Sequence, residues 1–236
     1  MDPKQGAVIL GAAAVSYCLG SLPFGLWLTR LRHGIDVRAE GSRSTGATNV
    51  LRVAGPATAA ATFACDAAKG YGAVELARSL GLSPLGQAVC GVSAIAGHCW
   101  PVFAGFRGGK GVATGIGASV AVDPRMFVTG TVLGVPALAA TKMVSVGSLT
   151  GAAGYVVYAA VYGTRTHRYA PLFYAAAAFG ITTFRHRDNI GRIFRGEERR
   201  LSFGRKSPES SREQNTSHTC GHATDVHAPV HHKENH

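Results

Sequence analysis

The sequence predicts an all-α fold, a polytopic transmembrane helical bundle of about seven spans whose unusual motifs lie in loops on one side. Three observations carry this. No charged side chain occurs from Gln5 to Thr29, from Ser79 to Phe106 or from Met143 to Thr164, and each window supplies the roughly 20 apolar residues that cross a bilayer. Of 236 residues, 46% are hydrophobic and 16% charged, and the apolar stretches use Ala, Gly and Val more than Leu or Ile, which suits tight helix packing in lipid. The cations, finally, sit mostly in the connections between apolar stretches. A net charge of +11 on a soluble fold would point to nucleic acid, but at membrane ends it is the ordinary topogenic signal, so no nucleic-acid partner is expected.

Hydropathy read against helix breakers places the spans near residues 6–29, 55–78, 84–103, 109–122, 126–141, 145–162 and 169–184. The first follows MDPKQ, which lacks a basic n-region and a small-residue cleavage site, so it is expected to be retained. The second contains Asp66 and Lys69 at i, i+3. Ionisable groups at that depth are costly, and they read either as functional or as an ion pair facing the bundle. The fourth and fifth are short and bounded by charge. Seven crossings put the chain ends on opposite sides. The odd-numbered connections and the C-terminal flank then hold 16 cations against five on the other side, which places them in the cytoplasm.

Residues 1–201 therefore form the transmembrane domain, and residues 202–236 read as a polar, His-rich, disordered tail. The histidine spacing there fixes no metal geometry. Cys18, Cys65, Cys90 and Cys99 lie in or beside apolar segments without paired spacing, as packed thiols do.

Three segments on the expected cytoplasmic side stand out. GFRGGKGVAT, from Gly105 to Thr114, offers glycines that permit φ > 0, so that amide N–H groups can point into one concavity beside Arg107 and Lys110. A helix starting near Gly109 would add the positive end of its dipole. Together these describe a phosphate site. Lys110 is followed by Gly111 instead of Ser or Thr, so it is not a nucleotide P-loop. EGSRSTGATNVLR, from Glu40 to Arg52, alternates glycine with hydroxyl and amide side chains before a cation. RHRDNIGRIFRGEE, from Arg185 to Glu198, places His186 and Asn189 three apart on a helix face. Each also has an ordinary reading, respectively as a packing loop with topogenic cations, a well-formed turn and a basic helix on the membrane surface.

With GSLPFGLWLTR, the Asp66–Lys69–Gly70 spacing, GHCWPVFAGFRGGKGVAT and VSVGS after Lys142, these segments make the chain resemble the bacterial acyl-phosphate:glycerol-3-phosphate acyltransferase family. The resemblance spans about residues 15–200. It implies a multi-pass enzyme of the bacterial inner membrane that transfers an acyl group from acyl phosphate to the 1-hydroxyl of glycerol 3-phosphate, giving lysophosphatidic acid and phosphate for phospholipid synthesis. By matching position it implies an active-site set of Ser42, Arg52, Lys110, Ser145, His186 and Asn189, with Gly46, Thr48 and Asn49 and the glycines Gly108, Gly109 and Gly111 also at the substrates. Ser42, Lys110, His186 and Asn189 are the implied catalytic members. No cofactor, metal or obligatory protein partner is implied. One departure stands out. Where the family shows Gly-Ser-Gly-Asn, this chain has Gly41-Ser42-Arg43-Ser44, so a hydroxyl replaces an amide near the donor phosphate and a cation is added.

The acceptor hydroxyl attacks a mixed anhydride that is already activated, so most of the work is positioning two anions. His186 has the ordinary pKa of a general base. The family is thought instead to use a phosphate oxygen of the donor, with His186 and Asn189 orienting substrates. No His is followed five residues later by Asp, which argues against an acyl-CoA enzyme of the usual glycerolipid type. A transporter of phosphorylated metabolites is the alternative, since it too would gather glycines and cations at helix ends.

Overall fold

A computed structural model describes residues 3–201. The expected tail, residues 202–236, lies outside the described residues. All the regular structure within them is helical: α1 Pro3–Gly20, α2 Phe24–His33, α3 Ala47–Ser79, α4 Pro84–Cys99, a 3-10 turn Val102–Ala104, α5 Val112–Val122, α6 Pro124–Thr141, α7 Val144–Thr166, α8 Ala170–Arg185 and α9 Arg187–Phe194.

Three boundaries follow local chemistry directly. Ser83 caps α4 by accepting from the Gly86 amide, and Asp123 caps α6 through the Arg125 amide, each with proline next in the chain. Gly34, at φ 67°, ends α2 and returns its N–H to the Arg30 carbonyl.

Four boundaries differ from the hydropathy reading. The span expected at 6–29 is two helices, because Pro23 lacks an N–H and breaks the ladder at residues 21–23. The second begins at Ala47 and kinks at Gly55 (φ 80°, ψ 175°) before Pro56, so its first two turns run in a different direction from the rest. The third stops at Cys99, short of Pro101. The fourth begins at Val112 rather than near Gly109, with Gly111 in the left-handed region.

The bundle is built in tight pairs: α3 against α5, α1 against α4, and α6 against α7, with α8 packed on α4 and α7. Small residues set the spacing. A Cβ on Gly70 would fall on the Thr114 carbonyl of α5, and one on Gly117 would fall on the Ala67 carbonyl of α3. Large apolar side chains such as Leu10, Val132, Val157 and Val161 face outward, while Thr62, Asp66, Lys69, His98 and Ser119 are buried. That inversion suits a lipid environment. Two stretches, Lys4–His33 and Val144–Thr166, are each long and apolar enough to cross a bilayer on their own.

Candidate active site

The three motif segments meet at one cavity of about 410 Å³. Its polar end is assembled from distant parts of the chain. Ser42, Gly46, Thr48, Asn49 and Arg52 come from the first loop and the start of α3, Lys110 and Gly111 from the glycine loop, Ser145 from the start of α7, and His186 and Asn189 from the α8–α9 junction. First-turn residues of α3 (Ala47, Thr48), α5 (Val112, Ala113) and α7 (Val144, Ser145) all line it, so three helix N-termini contribute positive potential. Arg52, Lys110, Arg192 and Arg199 add four cations to the same walls, against the two carboxylates of Asp66 and Glu198. The other end runs between α3, α5, α6 and α7 past Phe63, Ile116, Val135, Leu138 and Tyr155 and is apolar. Such a cavity binds molecules that carry phosphate at one end and hydrocarbon at the other.

The first loop is held by its own side chains. Asp36 pairs with Arg30 at 2.6 Å and Arg38 at 2.9 Å, and these guanidinium partners, Arg38 foremost, hold its carboxyl well below the usual carboxylate range. Asn49 is 1% exposed. Its Oδ1 accepts from the Ser42 amide at 2.7 Å, and its Nδ2 lies 2.9–3.1 Å from the carbonyls of Val37, Glu40 and Ser44. Its amide is thus committed to shaping the loop that presents Ser42. Arg43 adopts φ 58°, a conformation that glycine takes without strain. The Ser44 Oγ accepts from Gly46 N at 3.3 Å.

The glycine loop behaves differently from an open nest. Gly108 and Gly109 are buried one layer behind the cavity wall, and the Gly109 N–H is spent on the His98 carbonyl at 3.1 Å. Their carbonyls accept from Arg185 at 3.3 and 3.0 Å. Lys110 and Gly111 alone of this group reach the cavity. The residue type is still required, because a Cβ on Gly108 would meet the His98 carbonyl and one on Gly109 the His98 ring.

Lys110 donates to Asn189 Oδ1. Burial first, then the cations Arg192, Arg52 and Arg185, pushes its pKa down to about 8 against the opposing pull of Glu198. His186 is 2% exposed, and its Nδ1 lies 2.8 Å from the Thr182 carbonyl. A ring nitrogen facing a carbonyl must carry the proton, so Nε2 is left as an acceptor. Burial first, and then Lys110, pushes this imidazole down to about 4, so it is neutral at pH 7.

Glu198 lay inside a motif segment but was not among the expected site residues. Its Oε1 accepts from Ser145 at 2.8 Å and Asn189 at 2.6 Å, and its Oε2 from Arg192 Nε at 2.9 Å. Burial raises its carboxyl, and those three donors more than offset this, leaving it below its ordinary value. Beyond it, Leu201 N–H reaches the Lys142 carbonyl at 2.7 Å and ties the C-terminal segment to the α6–α7 turn.

The profile of the family described as glycerol-3-phosphate acyltransferase matches residues 10–196. The chain belongs to the glycerol-3-phosphate acyltransferase family. Among its relatives, glycerol-3-phosphate acyltransferase 1 of Deinococcus radiodurans is 44% identical over 192 residues, covering 80% of this chain and 94% of that one. A glycerol-3-phosphate acyltransferase of Anaeromyxobacter dehalogenans is 42% identical over 211 residues, covering 85% and 100%. The crystal structure of PlsY (YgiH), an integral membrane glycerol 3-phosphate acyltransferase, in its glycerol 3-phosphate form superposes with a TM-score of 0.77 at 33% identity, covering 83% of this chain and 96% of that chain. This family member is therefore an all-helical integral membrane protein.

Proposed function

We propose that this chain acylates the 1-hydroxyl of glycerol 3-phosphate with an acyl phosphate as donor, releasing lysophosphatidic acid and inorganic phosphate. The observation that carries the proposal is the cavity itself, which joins four cations and three helix N-termini at one end to an apolar cleft at the other. The donor's hydrocarbon lies in the cleft. Both substrate phosphates lie in the polar end, one held by Lys110 and the other by Arg52 with Ser145 and Ser42.

The hydroxyl oxygen of the acceptor bonds to the acyl carbon, the bond from that carbon to the phosphate oxygen breaks, and phosphate leaves. The hydroxyl proton passes to an oxygen of the departing phosphate. His186 is a poor match for this proton, since an imidazole held near 4 is a weaker base than a phosphate dianion. Its Nε2 instead accepts a hydrogen bond from the hydroxyl and, with Asn189, orients it. The site faces the cytoplasm of a bacterial inner membrane, on the side where the connecting loops hold most of the cations.

The purified protein, given glycerol 3-phosphate with acyl phosphate and with acyl-CoA side by side, yields equal amounts of lysophosphatidic acid and phosphate from the first donor and no product from the second. Activity with acyl-CoA alone would overturn the donor assignment, and solute flux across sealed vesicles without acyl product would favour a transporter. His186→Gln keeps kcat within about tenfold of wild type if the histidine only orients; a loss of ~1,000-fold or more would restore it as the obligatory base.

A further inference from the structure

Asp66 and Lys69 have no part in the transfer reaction as described, although Asp66 and His98 reach the wall of the same cavity as Lys110. They are 2% and 4% exposed, deep in the bundle, and the Lys69 ammonium lies 2.9 Å from Asp66 Oδ1 and 3.0 Å from the Leu22 carbonyl. That carbonyl stands at the break between α1 and α2, so Lys69 ties the break to α3. The cluster has a third member that the sequence spacing did not reveal. His98, 5% exposed and at the end of α4, places Nδ1 3.5 Å from the same Asp66 oxygen.

We propose that Asp66 and His98 are positioning residues, a buried carboxylate–imidazole pair that seats the glycine loop and thereby fixes where Lys110 meets a substrate phosphate. This rests on the reading of Lys110 as a phosphate-binding cation. The seat is visible from both sides of the loop. On one side, the His98 carbonyl takes the Gly109 N–H at 3.1 Å and the His98 ring fills the space that a Cβ on Gly109 would occupy, with Nε2 the nearest atom. Gly108 packs on the carbonyls of His98 and Cys99. On the other, Arg185 binds the carbonyls of both glycines. The next residue is Lys110. The ring orientation of His98 thus sets the height of the loop, and Asp66 sets the ring orientation.

An ion pair needed only for stability would be complete with Lys69 and Asp66. The added imidazole, placed between that pair and the loop, is what a second layer of orientation requires, as in sites where a carboxylate fixes a ring that fixes a ligand. Lys110 follows Gly109 directly in the chain, so a tilt of His98 that shifts the loop also shifts the ammonium that meets the phosphate.

The test uses the full-length enzyme and four variants: Asp66→Asn, His98→Asn, Gly109→Ala and the His98→Asn/Gly109→Ala double variant. His98→Asn keeps a donor for Asp66 but removes the ring from beneath the loop, so KM rises about tenfold or more for one phosphate-bearing substrate while kcat at saturation falls less than about threefold. Gly109→Ala pushes on the same ring and behaves likewise. In the double variant the two losses do not multiply, because both act through one seat. Each variant is first required to melt and elute as wild type. Should Asp66→Asn fail that requirement, the His98–Gly109 cycle decides alone. Unchanged KM values for both substrates, a loss confined to kcat, or multiplicative losses in the double variant would overturn the proposal. Binding is also read without turnover, from the rise in melting temperature caused by glycerol 3-phosphate or by inorganic phosphate. A wild type that is stabilised by these ligands but makes no product would sink the reaction and leave the seat standing if His98→Asn abolishes that rise.

Discussion

Lys110 carries the sharpest consequence of the geometry at the scale of single residues. Its ammonium is held down to about 8, so the free enzyme loses this cation as pH rises past that value. A bound phosphate stabilises the cation, and binding therefore takes up a proton above pH 8. The expected outcome is a KM for one phosphate-bearing substrate that rises about tenfold per unit above pH 8, with kcat at saturation unchanged. Steady-state kinetics from pH 7.5 to 9.5 measures this, a range in which the substrate phosphates no longer titrate. Arg43 carries a second prediction, because its φ of 58° costs an L-residue energy that glycine does not spend. Arg43→Gly is expected to raise unfolding free energy by about 1 kcal/mol, read from the melting temperature. The residue types at Ser42, Arg52, Lys110, Ser145, His186 and Asn189 were legible in the sequence, and all six line the cavity. Glu198 was not. Glu197 and Glu198 are adjacent and chemically alike, and it takes the left-handed turn at Gly196 (φ 73°) to turn one inward to Ser145 and Asn189 and leave the other exposed to Arg195.

The helices place these residues by how they begin and where they break. Asp123 at the cap of α6 and Pro84 at the start of α4 are signals that a sequence displays directly. The break at Pro23 was lost because hydropathy averages over a window much longer than the three residues that interrupt α1 and α2. The glycine loop departs from the sequence reading for another reason. Its glycines looked like a nest open to an anion, but two of them serve close approach to His98, a contact between segments that local spacing does not encode. The convergence of α3, α5 and α7 at one cavity was equally hidden, since it depends on packing rather than on any period within a helix. That packing is testable at α3 and α5. Gly117→Ala puts a methyl against the Ala67 carbonyl and is expected to cost about 1–3 kcal/mol, measured as a lowered melting temperature in detergent.

Among the described residues, many large apolar side chains face outward while Asp66, Lys69, His98 and several hydroxyls are buried, and the site gathers segments from residues 42 to 199 into one cavity. The all-helical class followed from charge-free windows and small-residue composition, both one-dimensional properties. The identity of the cleft walls did not, because which apolar residues face lipid and which face substrate is decided only when α6 and α7 pair. The central claim is that segments far apart in the chain meet at a single membrane face, where they hold two anionic reactants. Single cysteines at the exposed positions Ser42, Arg107 and Arg187, in a background without the native cysteines, report on each segment separately. With a membrane-impermeant thiol reagent, all three are expected to label in inverted vesicles and none in intact spheroplasts. Labelling of any one of the three from the outer side would contradict the account.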